Sequence, residues 1–235
     1  MPSGKRSFTF LLIIIICFSL SSCIGVDRQI KLNKDGSGEE TMKITFMKEF
    51  YGLMSTMSSM MDSARQVSFF DSLYNDQIFI DKTKSSYDSI PGVKIIDIFA
   101  GKNADSSSSF VIKYTFDNLD VLGSSLQKTL EDEKDKNEEM PTEVFMKPEG
   151  DNMVFSYVYA NTDDESAEVD SSEIAMKNSM IKMFENGFIN FEIEFPYDVI
   201  SSNATSANGN ILKWDYPMTE IFMDSKLNLE AVMKK

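Results

Sequence analysis

The residues able to do chemistry are few, and their types limit the reactions sharply. The chain has 235 residues, no histidine and two cysteines. Ser-His and Cys-His nucleophile–base pairs are therefore ruled out, together with metal sites built on two or three imidazoles. Ser-Lys chemistry has the spacing it needs at Ser125-Leu126-Gln127-Lys128 and Ser179-Met180-Ile181-Lys182. Neither match is accompanied by Ser-Asp-Asn or Lys-Thr-Gly, and a chain rich in Ser and Lys yields such matches by chance. Met54, Met57 and Met60 offer soft thioethers to Cu(I), but with no imidazole or free thiol to complete a site. Asn33, Asp35, Ser37 and Gly38 begin like a calcium loop, yet Ile44 stands where a bidentate Glu should close it. Paired carboxylates acting on a sugar stay open among 37 acidic residues. The reading is a non-enzyme, with no catalytic residue, metal or cofactor.

One thiol does stand in a context that gives it a task. Lys5 and Arg6 precede a run from Phe8 to Leu20 that is apolar except for Thr9 and Ser19, and the run stops at Leu20-Ser21-Ser22-Cys23. A bilayer-spanning helix needs about 20 apolar residues, so this shorter run reads as the core of a secretory leader. Small residues at Ser21 and Ser22 immediately before Cys23 resemble the lipobox of bacterial lipoproteins, in which the thiol is acylated and the peptide is then cut before it. The expected organisation is a leader over 1–22 and a single domain over 23–235, with 23–27 as a short tether. Cys17 would leave with the leader, so the remaining chain holds no disulfide. Two or more acyl chains on one residue hold stably where a single one is marginal, which makes Cys23 a lasting membrane anchor.

Charge narrows the partners. The chain carries 23 Lys plus Arg against 37 Asp plus Glu, a net charge of −14, and loss of Lys5 and Arg6 deepens it. Phosphate backbones repel such a surface, so nucleic acid is excluded as a partner, and no polybasic headgroup patch is present. Ile24, not Asp, follows Cys23. The expected address is the cell envelope, at the outer membrane facing the periplasm.

The elements that must position any site follow from periodicity. Ile30 and Leu32, then Met42, Ile44 and Phe46, alternate around Lys34-Asp35-Gly36-Ser37-Gly38, the signature of a hairpin. Phe50, Leu53, Met54, Met57, Met60, Met61 and Ala64 recur at helical spacing. A second hairpin is expected over 93–116, a helix from Asp117 or Asn118 to about Leu130, and a solvated charge run over 131–140. A third hairpin is expected over 143–160. A helix carrying Ile174, Met176, Met180, Met183 and Phe184 follows, capped by Ser171 or Ser172 and closed at Asn186-Gly187. Phe191, Ile193 and Phe195 form a strand stopped by Pro196, Asn208-Gly209 turns into a strand over 211–216, and Leu227, Leu229 and Ala231 mark a last strand. The hairpin-then-helix succession occurs three times without residue matches between copies. The fold class is therefore α+β: an antiparallel sheet built from hairpins, covered by helices on one face.

The stretches "FPYDVISSNA" and "NGNILKWDYP", with the opening "IKLNKDGSGEETMKITF", resemble the LppM-like lipoprotein domain family. The resemblance covers the two ends, about a third of the chain. It implies a lipid-tethered, non-catalytic envelope domain, with an affinity for lipids suggested in some relatives. Two roles follow. In the first, Met54, Met57, Met61, Met180 and Met183 line a soft cavity for an acyl chain or similar hydrophobic ligand. Trp214 closes its mouth or, alternatively, packs the sheet against a helix. In the second, the acidic surface docks an envelope protein partner.

Overall fold

In the computed structural model, which describes residues 24–52, 75–130, 142–160, 184–223 and 226–235, the alternation around residues 33–37 becomes the expected hairpin. β1 (Ile24–Leu32) pairs antiparallel with β2 (Gly38–Phe46), Leu32 opposite Gly38 and Ile24 opposite Phe46. Gly38 is required here. A Cβ at that position would lie 2.3 Å from the Lys31 carbonyl oxygen and 2.5 Å from the Phe116 ring. β1 occupies residues 24–27 as well, so the segment expected as a tether is the start of a strand.

The second hairpin joins β3 (Val93–Lys102) and β4 (Ser108–Phe116), with an irregularity between Ile95 and Asp97, and β4 pairs with β2. Before β3 comes α1 (Asp76–Asp88), which has no apolar stripe strong enough to announce it. Asn75 caps it, its side-chain oxygen accepting from the Gln77 and Ile78 amides, and Tyr87 is its buried residue. After β4 comes α2 (Leu119–Leu130), in the place expected, with Asn118 accepting from the Val121 amide at 3.1 Å.

β5 (Thr142–Glu149) and β6 (Asn152–Ala160) form the third hairpin. β7 (Phe188–Glu194) follows a helical end at Phe184, closed by the Gly187 amide on the Phe184 carbonyl. Then come β8 (Asp198–Ser202), β9 (Ser206–Asn208), β10 (Ile211–Pro217), α3 (Met218–Met223) and β11 (Lys226–Lys234).

These strands make two sheets. A seven-stranded sheet runs β3-β4-β2-β1-β7-β10-β9, and a four-stranded sheet runs β5-β6-β11-β8. The first is mixed: β1 and β7 are parallel, Gly25 opposite Phe188 and Lys31 opposite Glu194. This corrects the α+β expectation. The molecule is mostly β, and what covers the inner face of the large sheet is chiefly the second sheet, with α1 and α2 packed beside it. The reason is burial. Each β strand has one apolar face to remove from water, and Phe155, Tyr157 and Tyr159 of β6 with Leu227, Leu229 and Ala231 of β11 supply a second such face. Tyr157 meets Phe191 and Phe155 meets Phe195 across the interface, ring centroids 5.6 and 5.0 Å apart.

The β1–β2 and β3–β4 turns are the same structure. In Asn33-Lys34-Asp35-Gly36-Ser37 and Asn103-Ala104-Asp105-Ser106-Ser107, the Asp carboxylate accepts from the Ser amide two residues on at 3.0 Å, and the Asn backbone amide donates to the Ser carbonyl four residues on at 2.8 Å. The fourth residue is left-handed in both, Gly36 at φ 84° and Ser106 at φ 70°. A Cβ costs roughly 1–2 kcal/mol in that region. Ser106→Gly should therefore raise stability by about 1 kcal/mol and Gly36→Ser should lower it, read as opposite shifts in the urea midpoint at constant m-value. No gain for Ser106→Gly would show that the Ser106 backbone carries no such cost.

Candidate functional site

The alternation that puts Ile30 and Leu32 inside also puts Arg28 inside, and the alternation that buries Met42 buries Glu40. Arg28 is 1% exposed and Glu40 0%. The guanidinium meets the carboxylate with both of its forks, Nε on Oε1 and Nη2 on Oε2 at 2.8 Å. Nη1 donates to the Tyr157 hydroxyl at 2.9 Å. The Tyr114 hydroxyl donates to Glu40 Oε2 and lies 2.7 Å from Ser125 Oγ, which donates to the Leu122 carbonyl at 2.8 Å. The guanidinium carbon also sits 5.3 Å from the centre of the Phe191 ring. One network thus joins β1, β2, β4, α2 and β6, and with Phe191 it reaches β7.

Its electrostatics are those of a closed pair. Burial works against the Arg28 charge, but the Glu40 carboxylate outweighs it and raises the guanidinium pKa further above its ordinary value. Burial, aided by Glu40, pushes the Tyr114 hydroxyl well up. Burial pushes Tyr157 up to about 12, against the opposing effect of Arg28. These groups are buried, and the network holds the layers together. Ser125, the serine of one Ser-x-x-Lys match, is 0% exposed and spent in this network.

The opposite face of the same strands is polar and open. Two cross-strand rows follow from the pairing: Val111, Lys43, Asp27, Asn190, Asp215, and Lys113, Thr41, Gln29, Glu192, Lys213. They line a concavity of about 340 Å³, excepting Lys113 at its margin. Asn190 Nδ2 donates to Asp27 at 2.9 Å, and Lys213 lies 2.6 Å from Glu192, whose hydrogen bond and charge raise the Lys213 pKa. Three lysines and three acids make these rows balanced in charge on a chain that is strongly acidic. Sequence reading missed both faces of this site, although the period-2 pattern that placed Ile30 and Met42 carries the signal for Arg28 and Glu40.

Of the expected ligand-lining residues, Trp214 lies among those described. It is 1% exposed in the core, and its indole N–H donates to Asn203 Oδ1 at 2.7 Å. Asn203 Oδ1 also accepts from the Glu230 amide, and its Nδ2 donates to the Asn228 carbonyl. Trp214 is thus a packing residue, and Asn203 clasps β10 to β11. The Asn and the Trp of the quoted C-terminal pattern meet each other. Leu20, Ser21, Ser22, Cys23, Met54, Met57, Met61, Met180 and Met183 lie outside the described residues. Their described neighbours converge: Phe50 and Phe184 join Ile24 and Met218 in a second apolar cluster. Among the described residues, no helix is long and apolar enough to cross a membrane.

No protein-family model matches the chain, and no curated protein matches it in sequence. Among solved structures it is similar to the NMR structure of the folded domain of Mycobacterium tuberculosis LppM, at 9% identity, over 91% of this chain and 90% of that one, with a TM-score of 0.43.

Removing one partner from a buried pair leaves an uncompensated charge, worth about 3–5 kcal/mol. Glu40→Gln should destabilise by that amount, whereas Arg28→Met with Glu40→Leu should cost less than the single change, measured by urea unfolding of a soluble form beginning at Ile24. A double variant no better than Glu40→Gln would sink the account. Alkali should act on the tyrosines. The folded state keeps the Tyr157 proton to about 12 while the unfolded chain releases it near the ordinary value of 10.0. The unfolded state then binds fewer protons, so stability is intact below about pH 10 and falls as pH rises toward 12. The check is the urea midpoint against pH, with tyrosinate absorbance appearing together with unfolding rather than before it.

Proposed function

We infer that the chain is a lipid-anchored bacterial envelope lipoprotein of LppM-like type, non-catalytic, that offers the polar outer face of its seven-stranded sheet to an envelope partner. The observation that carries the reading is a juxtaposition: Leu20-Ser21-Ser22-Cys23 runs directly into the first strand of a sandwich with a buried apolar interior. A leader that ends in an acylated cysteine places such a sandwich on a membrane. The balanced rows around Asp27, Thr41, Asn190 and Lys213 are the surface it can present there. The address proposed is the outer membrane facing the periplasm, on the strength of Ile24 after the cysteine.

A second reading, capture of a hydrophobic ligand, is favoured by one observation. Phe50 and Phe184, the described chain neighbours of the methionine-bearing segments, meet in the cluster with Ile24 and Met218. Native mass spectrometry separates the two roles: a co-purified lipid on the soluble form supports capture, and a bare mass supports the docking surface.

The anchor itself is tested in cells. Globomycin should leave the leader attached and slow migration, and Cys23→Ala should abolish palmitate uptake and leave the leader uncut. Unchanged migration under globomycin together with no palmitate uptake by the unaltered protein would overturn the lipoprotein reading.

A further inference from the structure

We propose that the sandwich stands end-on against the bilayer, with the start of β1 held at the headgroups and the strand running away from them. The proposal rests on acylation at Cys23 and concerns what the fold then imposes.

The first consideration is the length of free chain. Ile24 is already paired with Phe46, and Gly25 with Thr45 on one side and Phe188 on the other. Ile24 is 8% exposed, and the Phe188 ring lies so close over Gly25 that a Cβ there would be 2.4 Å from it. The residue after the acylated cysteine is therefore part of the rigid body. One residue spans at most about 3.6 Å, so the sheet has almost no stand-off from its lipid.

The second consideration is where the peg enters. In the order β3-β4-β2-β1-β7-β10-β9, β1 is the middle strand of seven. Three strands flank it on each side. At about 4.8 Å per strand, the β2-β4-β3 arm extends about 14 Å from the peg and the β7-β10 arm about 10 Å, since β9 pairs only with Ile211–Lys213 at the far end of β10. On one arm the ends near the peg are the close of β2 and the Asn103–Ser107 turn, since Phe46 faces both Ile24 and Ser108. On the other arm they are the start of β7 and the close of β10, Gly25 facing Phe188 and Phe188 facing Pro217, with α3 beginning at Met218. A rigid plate pegged at its centre by a link this short cannot tip far within its own plane before one arm meets the headgroups. A plate on a long tether would have no such limit. The membrane-facing end is thus the one bearing Ile24, Phe46, the 103–107 turn and Met218. The 33–37 turn lies at the opposite end, beside the close of β4, since Gly38 faces Phe116.

The paired turns provide matched reporters. Lys34 and Ala104 hold the same position in the same loop at opposite ends of the sheet, both exposed. With Cys17 lost in the leader and Cys23 acylated, Lys34→Cys or Ala104→Cys gives the processed protein a single thiol. Each variant, carrying a thiol-linked donor dye, is placed in phosphatidylethanolamine–phosphatidylglycerol vesicles that contain a headgroup-labelled acceptor. Transfer from position 104 should exceed transfer from position 34 several-fold. A flexible ten-residue Gly-Ser insertion between Cys23 and Ile24 should bring the ratio toward one. Equal transfer from both positions in the uninserted protein, or stronger transfer from 34, overturns the orientation. Vesicle flotation and intact mass keep the two ideas apart: protein that floats with its acyl mass but shows equal transfer refutes the orientation alone, and protein without the acyl mass refutes both.

Discussion

Arg28 and Glu40 are two full charges in a place where water is absent, and the rest of the fold is arranged so that this is tolerable. Burying an ion costs several kcal/mol unless its partner is close and every remaining donor and acceptor is filled. Here the two forks of the guanidinium take both carboxylate oxygens, Tyr157 takes the third donor, and Tyr114 adds a donor to Glu40. Those partners come from different layers. Tyr157 belongs to the four-stranded sheet, Tyr114 to β4, and Ser125 behind Tyr114 to α2. A shift of one residue in any pairing would turn the partner to the other face and leave a charge uncovered. The network therefore selects one stacking of sheet on sheet among the several that apolar contact alone would allow.

The same requirement explains why the two faces of β1 differ so much. Inward positions 24, 26, 28, 30 and 32 are spent on the interior, and outward positions 27, 29 and 31 meet polar residues of β2 and β7. Lys31 pairs with Glu194 at 2.8 Å, and the hydrogen bond with its charge raises the Lys31 pKa. Such exposed pairs add little to stability. What they do is keep a wide face of a large sheet free of apolar side chains.

How much of this could be read from the chain depends on sequence distance. The three hairpins and the last strands were legible because their turns lie within a few residues of the strands they join, and inward and outward residues alternate on either side. The β1–β7 pairing joins Gly25 to Phe188, and nothing local marks it, so the sheet was read as wholly antiparallel. The second sheet was illegible as a separate layer for the same reason: β6 and β11 pair across Ser156 and Glu230. α1 escaped because its stability comes from its cap and from docking, Tyr87 lying 5.0 Å from Tyr114 and Phe79 4.1 Å from Phe110, and not from an apolar stripe. Arg28 and Glu40 were legible in principle. A charge at an inward register position is a buried charge, and two of opposite sign on adjoining strands of one hairpin are each other's obvious partners.

The matching turns show where a repeat comes from physics rather than from copied sequence. A five-residue loop between strands needs one left-handed residue near its end, and it needs its inward-pointing amides satisfied. An Asp two residues before a Ser meets the second need at both loops, and the depressed carboxyl pKa values of Asp35 and Asp105 trace first to the Ser37 and Ser107 side chains they accept from. The left-handed place is filled differently, by Gly36 in one and Ser106 in the other. The substitution is bearable because Ser107, Ser108 and Ser109 are buried around it and Asn103 donates to both Ser107 and Ser109. Those hydrogen bonds over-determine the backbone, which is what a strained position requires in order to persist. The first loop has no counterpart to the Asn103–Ser109 bond among the described contacts, and there the chain has kept glycine.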